Sequence, residues 1–209
     1  MKGLLLKDFL SLKNYIRTIL IVLIAYALFS FFGNNISMLM VMFALFSAML
    51  PVTTFFYDEQ AKWDKYALSH SVERRTVVLS KYVFALLILV VGELIALGVV
   101  SILGIIKPEM ALTGSELLSL AAVGVFYAGY LNAILIPLIH RYGTEKARMM
   151  MIMILFLPAI LIFIFKDSFS ALLDPAVLTK TIIGLGIGII AAIAISINIS
   201  IRIYARKEF

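Results

Sequence analysis

The chain has 209 residues, 63% of them hydrophobic and only 14% charged. A soluble domain carries about 25% charged residues, so the solvent for this much apolar surface must be lipid. There is no cysteine, which excludes a disulfide framework and a thiolate metal site. The net charge of +6 would suggest nucleic acid as a partner for a soluble protein. Here the bases gather at the ends of apolar runs, where membrane topology explains them, and no nucleic-acid partner is expected.

The chain opens with an amphipathic stretch, residues 1–15. Leu5, Phe9, Leu12 and Ile16 fall on one helical face, and Lys7, Ser11 and Asn14 on the other. That pattern suits a helix lying in the membrane interface, although a ragged extension of the first span would read the same way. Six apolar runs follow, at residues 16–32, 38–57, 82–106, 117–139, 149–165 and 181–201. Each is near the roughly 20 residues needed to cross a bilayer. The first is too long for a signal-peptide core and lacks a small-residue cleavage site after it, so it is expected to be retained. No repeat relates the first three runs to the last three. The fold expected is an all-α membrane protein: one domain over residues 1–209, with six transmembrane helices and an N-terminal interfacial helix.

The longest polar interruption is residues 58–81, with four acids and five bases. Its first half is patterned as a short helix with Trp63, Tyr66, Ala67 and His70 on one face. A solvated loop with headgroup anchors would also use Trp and Tyr. Residues 140–148 form a second basic loop, carrying His140, Tyr142, Glu145, Lys146 and Arg148. His70 and His140 read as interfacial. The loop at 166–180 carries Leu172, Leu173, Val177 and Leu178, which suggests short helices dipping into the outer interface. Every Lys and Arg except Lys107, Lys166 and Lys180 lies in the N-terminus, the two basic loops or the C-terminal tail. By the positive-inside rule both termini and both loops face the cytoplasm.

Glu93 is the one charged residue deep in a span. Holding it ionised there would cost roughly 2.5–3.5 kcal/mol on insertion scales, so it should be protonated, partnered or beside water. Asn132, Tyr127 and Tyr130 are its nearest candidate partners by depth. An interhelical hydrogen-bond clamp accounts for it as well as a proton site does. Pro51, Pro137 and Pro158 interrupt three spans, where fixed kinks are commoner than hinges. No phosphate-binding loop of the G-x-x-x-x-G-K-[ST] type occurs, and no nucleophile–base or metal constellation is present. The chain reads as a non-enzyme that binds no cofactor.

The order of motifs resembles a family. MKGLLLKDF opens the chain, and the second span ends after Pro51 in YDEQAKWDKYALS. ERRTVVLSKY then leads into the third span, and IPLIHRYGTEKAR follows the fourth. This is similar to the small bacterial ABC type-2 exporter permeases, the membrane halves of ATP-driven exporters. The likeness within that family is to exporters of amphipathic peptides such as phenol-soluble modulins. One departure is visible, since family members often have proline where this chain has Ser71. The resemblance implies two permease halves, either two copies or one copy with a homologue, and two separate ABC ATPase subunits that carry ATP and Mg. It implies a coupling helix that docks on the ATPase, falling on Asp58, Glu59, Lys62, Trp63, Asp64, Lys65, Tyr66 and Leu68. It suggests a second cytoplasmic contact at Tyr142, Glu145, Lys146 and Arg148. It also implies an N-terminal elbow helix, membrane lipids and an exported substrate as partners, and a multi-pass place in a bacterial plasma membrane. Two other classes fit the residues: a proton-coupled secondary transporter using Glu93, and a non-transporting membrane assembly or immunity factor. Co-purification with an ATPase separates the first reading from these.

The charge asymmetry makes a direct prediction. Single cysteines at Asn35 and Thr113 should react with an impermeant thiol reagent in intact cells, and one at Gln60 should not. External labelling at Gln60 would invert the topology.

Overall fold

A computed structural model describes residues 1–33, 35–69, 72–164 and 175–207. The described chain is helical. α1 spans Lys2–Gly33, α2 Ile36–Gln60, α3 Trp63–Ser69, α4 Arg74–Ile106, α5 Gly114–Tyr142, α6 Thr144–Ile164 and α7 Pro175–Ala205, with a 3-10 turn at Pro108–Met110. Among the described residues, five helices are long and apolar enough to cross a membrane: Tyr15–Gly33, Ile36–Gln60, Arg74–Ile106, Gly114–Tyr142 and Gly186–Ala205. Only a helix can satisfy its own backbone polar groups in lipid without a closed barrel.

The boundaries follow local chemistry. The Asn35 side chain accepts from the Met38 N–H at 3.3 Å and starts α2. Thr113 and Glu116 form a reciprocal capping box that starts α5. Pro108 stops α4, whereas Pro51 and Pro137 lie inside unbroken helices.

Three expectations change. Residues 1–15 do not form a separate element, because α1 runs without a break from Lys2 to Gly33. Its inward face is also different. Asp8, Leu12 and Ile19 are buried, while Phe9 and Ile16 are exposed, because the ionic contacts of Lys7 and Asp8 outweigh the apolar stripe. The last helix begins earlier than its apolar run, at Pro175, since a helix continues past the hydrocarbon boundary while its hydrogen bonds are met. Of the loop expected at 166–180, residues up to 174 lie outside the described residues, as do His70 and Ser71.

α2 is central, packing against α1, α4 and α5 along its length and against α3 and α6 near Gln60. α7 packs on α5 and α4. The core divides into two clusters. One joins Phe55, Val78, Leu89, Leu131, Ile136 and Tyr204 toward the charged end of the bundle. The other joins Leu39, Met40, Phe43, Ala96, Val100 and Met110 toward the opposite end. Leu94, Ile105, Met153 and Ile190 are exposed on the outside, as apolar side chains facing lipid would be.

A hydroxyl network holds α7 in place. Tyr82 Oη lies 2.6 Å from Ser196 Oγ and 2.8 Å from Ser200 Oγ. Ser196 donates to the Ala133 carbonyl at 2.5 Å, so Tyr82 donates to Ser196 and accepts from Ser200. Tyr82→Phe keeps the ring and removes the link between α4 and α7. It should lower unfolding stability in detergent by on the order of 1 kcal/mol, measured as a drop in thermal midpoint without loss of membrane insertion.

Candidate functional site

Polar groups from the ends of α1, α2, α4, α5, α6 and α7 meet around α3. α2 ends at Gln60, and the chain turns through Lys62, which has φ of 50°. That left-handed conformation is more often glycine's at a helix end. It lets α3 restart at Trp63 in a new direction.

The centre is a ring of four charges, three of them buried and Lys7 half-buried. Lys81 Nζ, on α4, lies 2.8 Å from Asp8 Oδ1 of α1 and 2.6 Å from Asp58 Oδ2 of α2. Lys7 Nζ lies 3.0 Å from Asp8 Oδ1 and also pairs with Asp58 Oδ1. Asp8 is 1% and Lys81 3% exposed. The charges cancel, two against two, which is the condition for desolvating them together. Lys81 also donates to Thr54 Oγ1 at 3.3 Å, and Thr54 donates to the Pro51 carbonyl at 2.8 Å. Each ammonium rests on a ring, Lys81 on Phe55 and Lys7 on Trp63, both 4.8 Å from the centroid.

Three further ties run outward from this ring. Glu59, at the end of α2, accepts from the Thr144 N–H at 2.8 Å and from the Thr144 hydroxyl. It thereby caps α6 with a carboxylate, the favourable sign at a helix N-terminus. Gly143 makes this approach possible: its φ is +83°, and a Cβ there would lie 2.9 Å from Glu59 Oε1. Asp64, on α3, faces Tyr204 of α7; burial raises its carboxyl above the ordinary value, and Tyr204 and Lys207 pull it back. Arg74, the first residue of α4, donates to the Tyr204, Ala205 and Lys207 carbonyls at 3.4, 2.5 and 3.3 Å, where a cation suits the helix C-terminus.

The residues expected to form one docking face are therefore divided. Asp58, Glu59 and Asp64 are engaged inward. Trp63 is half-buried, stacked 5.3 Å from Tyr66 and beneath Lys7. Ala67 is the buried residue of α3, whereas Tyr66 is 55% exposed, so the expected Trp63–Tyr66–Ala67 face is split. Lys62, Lys65 and Tyr66 remain on the outside, and Leu68 is half-buried. Tyr142, Glu145, Lys146 and Arg148 are also exposed, and the Glu59–Thr144 bond sets that segment beside α3. Arg148 lines a cleft of about 220 Å³ together with Tyr15, Tyr57 and Phe56.

His140 is not interfacial. It is buried between Phe55 and Tyr204, with ring centroids 5.1 and 5.3 Å away, because the helix carries it inward before Gly143 ends α5. It lines a cavity of about 40 Å³ with Asp58, Glu59, Asp64, Lys81 and Lys207, room for a single water. Among the described residues, no three His, Asp or Glu side chains form a metal-binding group.

Glu93 and Asn132 lie apart from this junction and from each other's hydrogen bonds. Asn132 Nδ2 donates to the Ala128 carbonyl of its own helix at 3.0 Å. Tyr127 donates to the Leu155 carbonyl at 2.9 Å. Neither partners Glu93, whose carboxyl lies against Gly124. Sequence reasoning overlooked Lys7, Asp8, Lys81, Arg74 and Tyr204. The available signal was an acid, Asp8, inside a helix entering lipid, and a lysine, Lys81, at the start of an apolar run.

The fold and the charge placement define a multi-span α-helical membrane protein with a polar junction at one end. The profile of the ABC-2 family transporter proteins matches residues 3–205, and the chain belongs to that family. It is a multi-pass permease subunit of an ABC transporter, a transport component rather than a catalytic subunit, and the family works with an ABC ATPase. Neither the curated proteins nor the solved structures compared with it gave a match.

Lys81→Met should strand Asp8 and Asp58 around a single cation and cost about 3–5 kcal/mol, the usual penalty for breaking a buried ion pair. Asp8→Asn combined with Lys81→Met leaves the neutral Lys7–Asp58 pair and should recover part of that loss. Thermal midpoints of the two single variants and the double variant measure the coupling.

Proposed function

We propose that this chain is one membrane half of an ATP-driven exporter, with α3 as the helix that receives the motion of a separate ATPase. The single observation that carries this reading is the two-sidedness of α3. Lys62, Lys65 and Tyr66 are exposed on its outer side. The opposite side is tied to α1 through Lys7, to α7 through Asp64 and Tyr204, and, at the adjoining end of α2, to α4 and α6 through Asp58 and Glu59. A push on so small a helix reaches five others through short polar contacts, without relying on flexible loops.

In this proposal six spans cross a bacterial plasma membrane. The helix Thr144–Ile164 supplies the span that completes the set, and both termini and α3 lie on the cytoplasmic side. Two such halves, identical or homologous, enclose a path. Two ATPase subunits dock below them and bind ATP and Mg. Segment 142–148 is a second contact, with Tyr142, Glu145 and Lys146 outermost. The substrate class we favour is a hydrophobic or amphipathic peptide, by the resemblance in the sequence.

The division of α3 separates two roles that substitution can distinguish. Tyr66→Ala removes an exposed aromatic anchor and should weaken ATPase binding by about 2 kcal/mol. Trp63→Ala removes the support of Lys7 and should preserve more of the binding while uncoupling hydrolysis from transport. Lys62→Ala should be milder, as expected for a rim charge. The measurements are ATPase co-purification and substrate-stimulated hydrolysis at matched membrane expression. If both aromatic truncations leave binding and coupling intact, α3 is not the coupling element and segment 142–148 takes its place.

A further inference from the structure

Between the two core clusters, α2, α4 and α5 approach one another through small residues. Gly92 on α4 admits the Ser47 side chain of α2, and Gly124 on α5 admits the Glu93 side chain of α4. A Cβ on Gly124 would lie 2.6 Å from Glu93 Oε1. Glu93 is 5% exposed, and neither of its carboxyl oxygens has a hydrogen-bond partner among the described residues.

Among the described residues, no cation pairs with it. Between residues 36 and 56 α2 has no ionisable side chain, and between 181 and 201 α7 has none. In the corresponding part of α1 the one titratable group is Tyr26, and α5 offers Tyr127 and Tyr130, of which Tyr127 is bonded to Leu155. The 3-10 turn brings Glu109, which is exposed at the far end of α4. An ionised carboxylate with neither cation nor donor is strongly disfavoured in such a place.

We propose that Glu93 is a proton-binding site within the membrane, a carboxylic acid at rest that ionises only when α4 and α5 part enough to admit water. The exposed faces of α3 play no part in this, and the proposal goes beyond ATP-driven coupling: it gives the permease a step sensitive to proton concentration. Gly124 is what makes the site possible, because any larger residue would occupy the position of the acid.

The test is chemical. A buried acid protonates one nitrogen of an apolar carbodiimide while its carboxylate oxygen adds to the central carbon. The adduct then rearranges to a stable N-acylurea, with no leaving group. The full chain in lipid vesicles is treated with dicyclohexylcarbodiimide and mapped by mass spectrometry. The expected result is an adduct on Glu93 that is lost in Glu93→Gln, with a rate that falls by about tenfold per pH unit once the acid is titrated. A water-soluble carbodiimide should leave Glu93 unmodified. Absence of the adduct from the wild-type protein at every pH at which it stays folded would overturn the proposal. So would equal labelling by the water-soluble reagent, which would mean an open aqueous site. Protection by sodium ions at constant pH and ionic strength would also overturn it, in favour of a metal cation. The labelling needs no ATPase, so its outcome is independent of the role assigned to α3.

Discussion

Four charges that cannot be left alone organise one end of this protein. Lys7 and Asp8 come from α1, Asp58 from α2 and Lys81 from α4. Desolvating any one of them without the others would be prohibitive, and even a complete ring is a poor source of net stability compared with apolar packing. What the ring supplies is position. Sliding one of the three helices by a turn, about 5.4 Å, would separate cations from anions inside the protein. The helices are held in one register by the cost of every other.

That constraint explains why a helix as short as α3 is fixed at all. Seven residues cannot hold a helix by backbone hydrogen bonding alone. α3 is held by the turn at Lys62, by Ala67 against the bundle, by the cation of Lys7 over Trp63 and by Asp64 facing Tyr204. Glu59 then joins the same region to the first turn of α6 through Thr144. Of the charged groups that look like a solvated loop in the chain, Asp58 and Lys81 are buried struts, and Glu59 and Arg74 are tied to other helices. The surface left for a partner is small: Lys62, Lys65, Tyr66 and the adjoining residues after Tyr142.

The middle of the bundle follows a different rule. There the helices approach through Gly92 and Gly124, where van der Waals contact replaces the hydrophobic effect as the source of packing. Ser47 and Glu93 occupy the space those glycines leave. The hydroxyl ladder of Tyr82, Ser196 and Ser200 performs a related task between α4 and α7, but with every polar group matched. Glu93 is the exception in having none matched, and it lies where the core changes from one cluster to the other.

Composition and apolar run length determined the membrane class, the long helices and their order, because burial in lipid leaves the backbone no alternative. The breaks after residues 32 and 106 were legible as the ends of apolar runs, whereas the capping bonds of Asn35 and Thr113 came from the structure. The mixture of charged and aromatic groups in residues 58–81 was legible, and so was the isolation of Glu93 among apolar residues. What only the tertiary structure decided is which way those groups point. Periodicity placed Lys7 on a polar outer face, yet it turns inward, because its partner Asp58 is 51 residues away. His140 looked interfacial until Phe55 and Tyr204 closed on it. Asn132 matched Glu93 in depth but bonded to its own helix. For Lys7 and His140 the deciding contact lies between helices remote in sequence, and such contacts leave no local pattern in the chain.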